Sequence, residues 1–253
     1  MTINDLSGQV AVVTGGNGGI GLGFAEGCAR AGADVAVWAR NAEKSAAAVE
    51  KLQSHGVQAI AVTCDVADEA SVAAAVTETV DRLGRIDICV ANAGTTGPVP
   101  FLELSYEEWR RMMAINLDGA FLTIRDCARQ MAEQGDGGAI VAVSSTSAIH
   151  GAAMNAHYGT SKTALLGLVR AAAVALARHK IRVNAVLPGW TRTELAEGGY
   201  QNDRFRDVTI SRTPVRRWAT GDDYVALAAY LCDRSVDWHT GDSIVADGGY
   251  TVF

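Results

Sequence analysis

Short apolar runs alternate with longer stretches of helical spacing along the whole chain. Gln9–Val13 is a continuous apolar run that stops at Thr14-Gly15, the mark of a strand buried on both faces. Helical spacing over Ile20–Ala31, closed by Gly32, follows it. The same alternation predicts further strands at Asp34–Ala39, Ala59–Cys64, Ile86–Ala91, Ala139–Ser144, Arg182–Leu187 and Ser243–Asp247. Between them it predicts helices at Glu43–Ser54, Glu69–Leu83, Tyr106–Glu133, Tyr158–His179 and Asp222–Cys232. Uniformly apolar strands separated by helices predict an α/β fold. The expected form is a single-domain, doubly wound, Rossmann-type parallel sheet of about seven strands, with helices on both faces, over residues 1–253. Residues 191–218 lack clear periodicity and are expected to form a substrate loop or lid.

Composition then removes several function classes. The chain has 253 residues, 49% apolar and 20% charged, which excludes a disordered chain. A net charge of −6 without a Lys/Arg stripe argues against a nucleic-acid partner. No run of 18 apolar residues is seen, so no membrane span is expected. Residues 1–8 lack a basic start followed by an apolar run, so a cytoplasmic protein is expected. Cys28, Cys64, Cys89, Cys127 and Cys232 are odd in number and contain no CxxC pair, which reads as apolar filling in a reducing compartment. The five histidines show no ligand spacing, so no metal is expected.

Candidate chemistry begins in the turn after the first strand, Thr14-Gly15-Gly16-Asn17-Gly18-Gly19-Ile20-Gly21. Glycines let backbone approach a phosphate, and the helix that opens here offers free N–H groups and its positive dipole end. Its Thr-Gly-x-x-x-Gly-x-Gly spacing resembles the classical short-chain dehydrogenase/reductase family. The rest of the chain meets that pattern in order: Asn92-Ala93-Gly94 after the fourth strand, Ser145 after the fifth, and Tyr158-Gly159-Thr160-Ser161-Lys162 at 13 positions beyond Ser145. Asn116, the turn Pro188-Gly189-Trp190-Thr191-Arg192-Thr193, Thr240-Gly241 and Asp247-Gly248-Gly249 complete a resemblance that covers essentially the whole chain. The first position of the family's Asn-Asn-Ala-Gly is Ala91 here.

Tyr158 and Lys162, four apart, share a helix face. A nearby ammonium favours phenolate, so Lys162 is expected to lower the Tyr158 pKa and let it act as general acid/base. Ser145 is expected to polarise the substrate oxygen. Ser144 is its rival, one residue off the spacing. His157 reads as a packing or rim residue. The resemblance implies that Asn116 supports Lys162 in a proton relay and that Lys162 also holds the cofactor ribose. It further implies dinucleotide contacts from Gly15, Asn17, Gly18, Gly19, Ile20, Gly21, Asp65, Val66, Asn92, Ala93, Gly94, Tyr158, Lys162, Pro188, Gly189, Thr191 and Thr193.

The end of the second strand selects the cofactor. An acidic residue there grips a ribose diol, but this chain has Ala39 followed by Arg40 and Asn41. A guanidinium suits a 2′-phosphate, so NADP(H) is expected rather than NAD. Gly18 departs from the basic residue that many NADP-dependent relatives place in the turn. Thr96, Ser147, Met154, Trp190, Leu195 and Tyr200 are the candidate pocket lining, mostly small or apolar, which implies a largely neutral carbonyl or alcohol substrate. The leading expectation is therefore an NADP-dependent oxidoreductase of ketones and secondary alcohols. The alternatives are a 3-oxoacyl-[acyl-carrier-protein] reductase and a non-catalytic dinucleotide sensor. The small, apolar face from Ala164 to Ala175, with the family's habit, implies a homotetramer or homodimer.

Overall fold

The computed structural model describes residues 4–253. Seven parallel strands, β1 (Val10–Thr14), β2 (Asp34–Ala39), β3 (Ala59–Thr63), β4 (Ile88–Ala91), β5 (Gly138–Val143), β6 (Ile181–Pro188) and β7 (Ser243–Ala246), form one sheet. Their order is β3-β2-β1-β4-β5-β6-β7. The winding reverses between β1 and β4, and in such a sheet the ligand crevice opens beyond the carboxyl ends at that point. Helices α1 (Gly19–Arg30) and α2 (Ala42–Gln53) follow β1 and β2, and α3 (Glu69–Leu83) follows β3. Asn41 and Asp68 cap α2 and α3 with their side-chain oxygens, so both helices start where a carboxylate or amide can take a free N–H.

Apolar strands leave two faces to cover. One face packs Trp38, Ile124, Met131, Leu165 and Val169; the other packs Leu6, Phe24, Leu52, Ile88 and Leu231. Close-packed apolar cores on both faces hold the sheet, which positions the loops at its carboxyl edge.

Two expectations need correction. The region read as one helix, Tyr106–Glu133, is α4 (Tyr106–Met113) and α5 (Gly119–Gln134), joined by a π-helical turn over Ala114–Asp118. A π turn inserts a residue into the helical ladder and re-aims its side chains; here it carries the fully buried Asn116. Residues 191–218, read as aperiodic, contain a 3-10 turn (Glu194–Ala196), α7 (Glu197–Tyr200) and α8 (Asp203–Arg212). These short helices fold around their own aromatic centre, the buried Trp218, against which Trp190 stacks at 5.2 Å and Tyr200 packs edge-on at 5.2 Å. Ala156–His179, which holds α6 (Ala156–Leu176), is long and apolar enough by composition to cross a membrane. Its Leu165, Val169 and Ala173 lie in a sheet core, and it carries the buried Lys162. The last helix, α9, spans Val225–Cys232 after a 3-10 turn over Gly221–Tyr224.

Candidate active site

The glycine turn is built for a close backbone approach. Gly19 takes φ +53, a left-handed conformation that disfavours other residues. A Cβ on Gly21 would sit 2.3 Å from the Gly15 carbonyl oxygen and 2.4 Å from Asn92 Nδ2, so nothing larger than hydrogen fits. The N-cap of α1, Gly18, supplies no side-chain cap, the first turn of α1 holds no acid, and the space at Gly18 is open. Free N–H groups and open space at a helix start match a bound phosphate. Asn92 donates to the Thr14 carbonyl (2.9 Å), and Thr14 Oγ1 accepts from the backbone N–H of Asn92 (2.9 Å) and Ala93 (3.0 Å). Thr14 thus ties the turn to Asn92-Ala93-Gly94 across the switch point, a role that sequence spacing did not reveal.

The catalytic candidates converge at the ends of β4, β5 and α6. Lys162 is buried and its Nζ donates to the Val143 carbonyl at 2.9 Å. It lies 5.8 Å from the centre of the Tyr158 ring. Asn116 Oδ1 accepts from the Thr95 N–H (2.8 Å), and its amide donates to the Thr95 carbonyl (3.0 Å) and to Ser161 Oγ (3.2 Å). Ser161 in turn donates to the Tyr158 carbonyl at 2.7 Å, so it links Asn116 to the tyrosine's turn of helix. A Cβ on Gly94 would lie 3.2 Å from Asn116 Oδ1 and 3.5 Å from Lys162 Nζ, which places both groups beside that glycine. Ser145 Oγ accepts from the Ser147 N–H at 3.1 Å, and the Ser145 side chain stands close enough to Tyr158 to act on its phenol. The rival Ser144 is turned inward, donating to the Lys162 carbonyl at 2.8 Å, which is a structural role.

Burial pushes the Tyr158 phenol above its ordinary 10, against the lowering by its hydrogen bond to Ser145. Burial also lowers Lys162 from 10.5 to about 8. The expected lowering of the tyrosine by the ammonium is therefore absent. The ammonium points at the Val143 carbonyl, and desolvation of both groups outweighs their attraction. His157 is completely buried, with Nε2 3.6 Å from Glu108 Oε1, so it packs between α6 and α4 and is not a rim residue.

The residues expected to contact a dinucleotide stand in mixed surroundings. Arg40 is 72% exposed and meets Asp65 only at 3.7 Å. Asn41 spends its side-chain oxygen on the Lys44 N–H, and Asp65 Oδ1 accepts from the Ala67 N–H. Asn17 reaches Ser45 Oγ at 3.2 Å. Val66 is buried, in contact range of Gly119. Ile20 packs on the second core. Pro188 ends β6 and Gly189 lies against Asp247. Thr191 Oγ1 shares a 2.7 Å hydrogen bond with the buried Tyr224 hydroxyl and faces the body of the protein. Thr193 lies over Gly19, where a Cβ would be 2.8 Å from its Cγ2.

On the substrate side, the Val99 N–H donates to the Met154 carbonyl at 2.8 Å, joining the loop with Thr96 to the loop with Ser147 and Met154. Ser147 also lines a surface cavity of about 520 Å³ with His150 and Asn155. Met154 and Leu195 are about half exposed. Tyr200 is drawn into the segment 191–218, under Arg192 at 4.5 Å. Among the described residues there is no group of acids, histidines or cysteines able to hold a metal. The sequence did not single out His150, Trp218 or Tyr250, whose contacts exist only after folding.

The profile of the family described as enoyl-(acyl carrier protein) reductase matches residues 15–251. The chain is 36% identical to L-rhamnose 1-dehydrogenase (NAD(P)(+)) of Sphingomonas sp. over 248 residues, 98% of each chain. It is 32% identical to 5-keto-D-gluconate 5-reductase of Escherichia coli, covering 98% of this chain and 97% of the relative. A solved gluconate 5-dehydrogenase from Burkholderia cenocepacia, in complex with NADP and tartrate, superposes with a TM-score of 0.93 at 34% identity, over 99% of this chain and 98% of that one. A short-chain type dehydrogenase/reductase from Mycobacterium marinum gives 0.93 at 37% identity over 98% of each chain. With the glycine turn, the Ser145–Tyr158–Lys162 group and full-length likeness in agreement, the chain belongs to the short-chain dehydrogenase/reductase family of oxidoreductases.

Proposed function

We propose that the protein interconverts a ketone and a secondary alcohol with NADP(H), at a site centred on Tyr158. The observation that carries this reading is the meeting of Ser145, Tyr158 and Lys162, with Lys162 beside Gly94 in the loop that Thr14 ties to the glycine turn. When bound, the nicotinamide cofactor supplies or accepts the hydride. In the reductive direction Tyr158, kept protonated by burial, donates its hydroxyl proton to the substrate oxygen. Ser145 holds the same oxygen by a hydrogen bond. Lys162 would place a positive charge beside the phenolate that forms, and would hold the ribose hydroxyls of a bound cofactor. Asn116, fixed by Thr95 and Ser161, supports that lysine from the same side of Gly94.

Arg40 supports NADP(H): it is exposed, its one carboxylate neighbour is distant, and no acid ends β2. Calorimetric titration is expected to show NADPH binding at least about tenfold tighter than NADH, with the gap lost in Arg40→Ala, as one charge-assisted contact implies. Equal affinities in the parent protein overturn the assignment. The Gly21→Ala protein is expected to bind NADPH at least about tenfold more weakly, because the added methyl meets a backbone carbonyl. Fluorescence titration checks it, and an unchanged affinity would show that the turn is not the phosphate site.

Sugar- and sugar-acid-active relatives support a polyhydroxylated substrate. Within the lid, Arg206 is paired with Asp203 and Asp207, and Arg192 with Glu197, which leaves neither as a spare cation for a carboxylate and supports a neutral one. Reduction of an acyl group on an acidic carrier protein is the second reading, favoured by the name of the matching profile. The net charge of −6 stands against it. The exposed Val174 on α6 and the partly exposed Phe121 on α5 support a homo-oligomer that covers this face. Five free, buried cysteines are consistent with a cytoplasmic setting.

A further inference from the structure

The turn after β7 takes no part in the reaction just described, yet it touches three elements on the substrate side. The Asp247 carboxylate accepts from the N–H groups of Gly249 (2.8 Å) and Thr251 (2.8 Å) and from the Thr251 hydroxyl (2.7 Å). The Gly248 carbonyl accepts from the Val215 N–H at 3.2 Å. A Cβ on Gly249, at φ +87, would lie 2.8 Å from Pro214 Cγ, so the turn is packed directly against the segment that leaves α8. This frame holds Tyr250 only 8% exposed.

The Tyr250 ring centre lies 6.1 Å from His150, on the loop after β5, and 6.3 Å edge-on from Trp190, on the loop after β6. The guanidinium carbon of Arg212, the last residue of α8, lies 4.5 Å over the Tyr250 ring. One side chain therefore joins both loops that flank the Ser145–Tyr158 pair to the helix that closes the lid. The lid is itself a unit, since Trp190 and Phe205 pack on the buried Trp218, and the Trp218 indole N–H donates to Thr209 Oγ1 at 2.8 Å. A segment packed around its own aromatic centre is suited to move as one body, and Arg212 at its end carries the contact to Tyr250. His150 Nε2 is buried without a protein partner, so the wall offers a hydrogen-bonding position beside its ring faces.

We propose that Tyr250 is a specificity-determining residue: it forms the outer wall of the substrate pocket with His150 and Trp190, and it latches the lid through Arg212. The wall half rests on the carbonyl-reductase reading; the latch half does not. Tyr250→Ala removes the ring, and Tyr250→Phe keeps it. Each is compared with the parent protein in NADPH-dependent reduction of dihydroxyacetone and of the bulkier D-fructose, polyhydroxylated ketones of the class proposed above. Trypsin cleavage in the lid, which offers Arg204, Arg206 and Arg212, is followed in parallel. In Tyr250→Ala the kcat/KM ratio of fructose to dihydroxyacetone is expected to rise about tenfold, and lid cleavage to quicken about tenfold, as loss of an aromatic and a cation–π contact implies. Tyr250→Phe is expected to stay within about twofold of the parent on both, since the ring faces remain. A ratio unchanged in an active Tyr250→Ala enzyme overturns the wall. Unchanged cleavage overturns the latch. If the parent protein binds NADPH and reduces neither ketone, the carbonyl-reductase reading fails, and the wall with it; the cleavage comparison still decides the latch.

Discussion

Replacing Tyr158 by Phe is expected to lower kcat/KM for ketone reduction by about 10²- to 10⁴-fold, the span over which a positioned proton donor acts. The substitution removes one hydroxyl and leaves the ring, so Lys162 keeps its aromatic neighbour. NADPH affinity is expected to stay within about twofold, because the phenol is only one of many contacts to the dinucleotide. Steady-state kinetics and calorimetry on the same preparation test this, and retention of a tenth of the activity would remove Tyr158 from the acid role. The pH dependence carries a second sign. Burial holds the phenol protonated above its ordinary range, so the acid needed for reduction is present throughout neutral pH. Alcohol oxidation needs the phenolate instead, and its rate is expected to climb with pH up to and beyond 10. A flat oxidative profile between pH 7 and 10 contradicts this.

What the sequence could reveal follows from the range of each interaction. The central strands β1, β4 and β5 were legible because burial on both faces makes each an unbroken apolar run, and the partly exposed edge strands β3 and β7 because each keeps a short apolar run. Ser145, Tyr158 and Lys162 were legible because a fixed element order and helical spacing bring them together. The π turn at Asn116 was not, since Ala114–Asp118 keeps helical composition while shifting one hydrogen bond in the ladder. The lid helices escaped because their apolar residues face Trp218 and one another, not the sheet, so no stripe of helical period forms. The direction of the tyrosine pKa was missed for a different reason. Spacing shows that Lys162 shares its face, but not that its ammonium points at Val143 and that both groups lie out of water. Thr191 and Asn41 illustrate the same limit: a motif position names a residue, and only the fold shows that its side chain is already engaged, with Tyr224 and with the Lys44 N–H.

Lys162→Met is expected to abolish most of the activity without loss of stability. Lys162 is 4% exposed, and the fall from 10.5 to about 8 corresponds to roughly 3 kcal/mol of cost for holding the charge in the folded state at neutral pH. Methionine keeps an unbranched apolar stem in the same space and carries no charge. The Val143 carbonyl loses its donor, which returns roughly 1–2 kcal/mol of that gain. The variant is therefore expected to match the parent or exceed it by about 1–2 kcal/mol in denaturant unfolding at pH 7, measured without cofactor so that ligand binding adds nothing. The sign of the pH dependence separates this cause from simple repacking. Between about pH 8 and 10.5 the unfolded parent holds a proton that the folded parent has released, so its stability rises with pH through that window. The variant lacks this rise, and its advantage over the parent shrinks as the solution becomes alkaline. Turnover is expected to drop by about 10²-fold or more at every pH, because the phenolate loses its neighbouring charge and the cofactor a positioning contact. A variant less stable than the parent by more than about 2 kcal/mol, or with an advantage that persists at pH 10, would mean that the buried ammonium is not under strain. A stable variant with near-parent turnover would mean that the lysine serves the fold alone. The expected pair of results, more stable and inactive, marks a residue kept for chemistry at the expense of the fold.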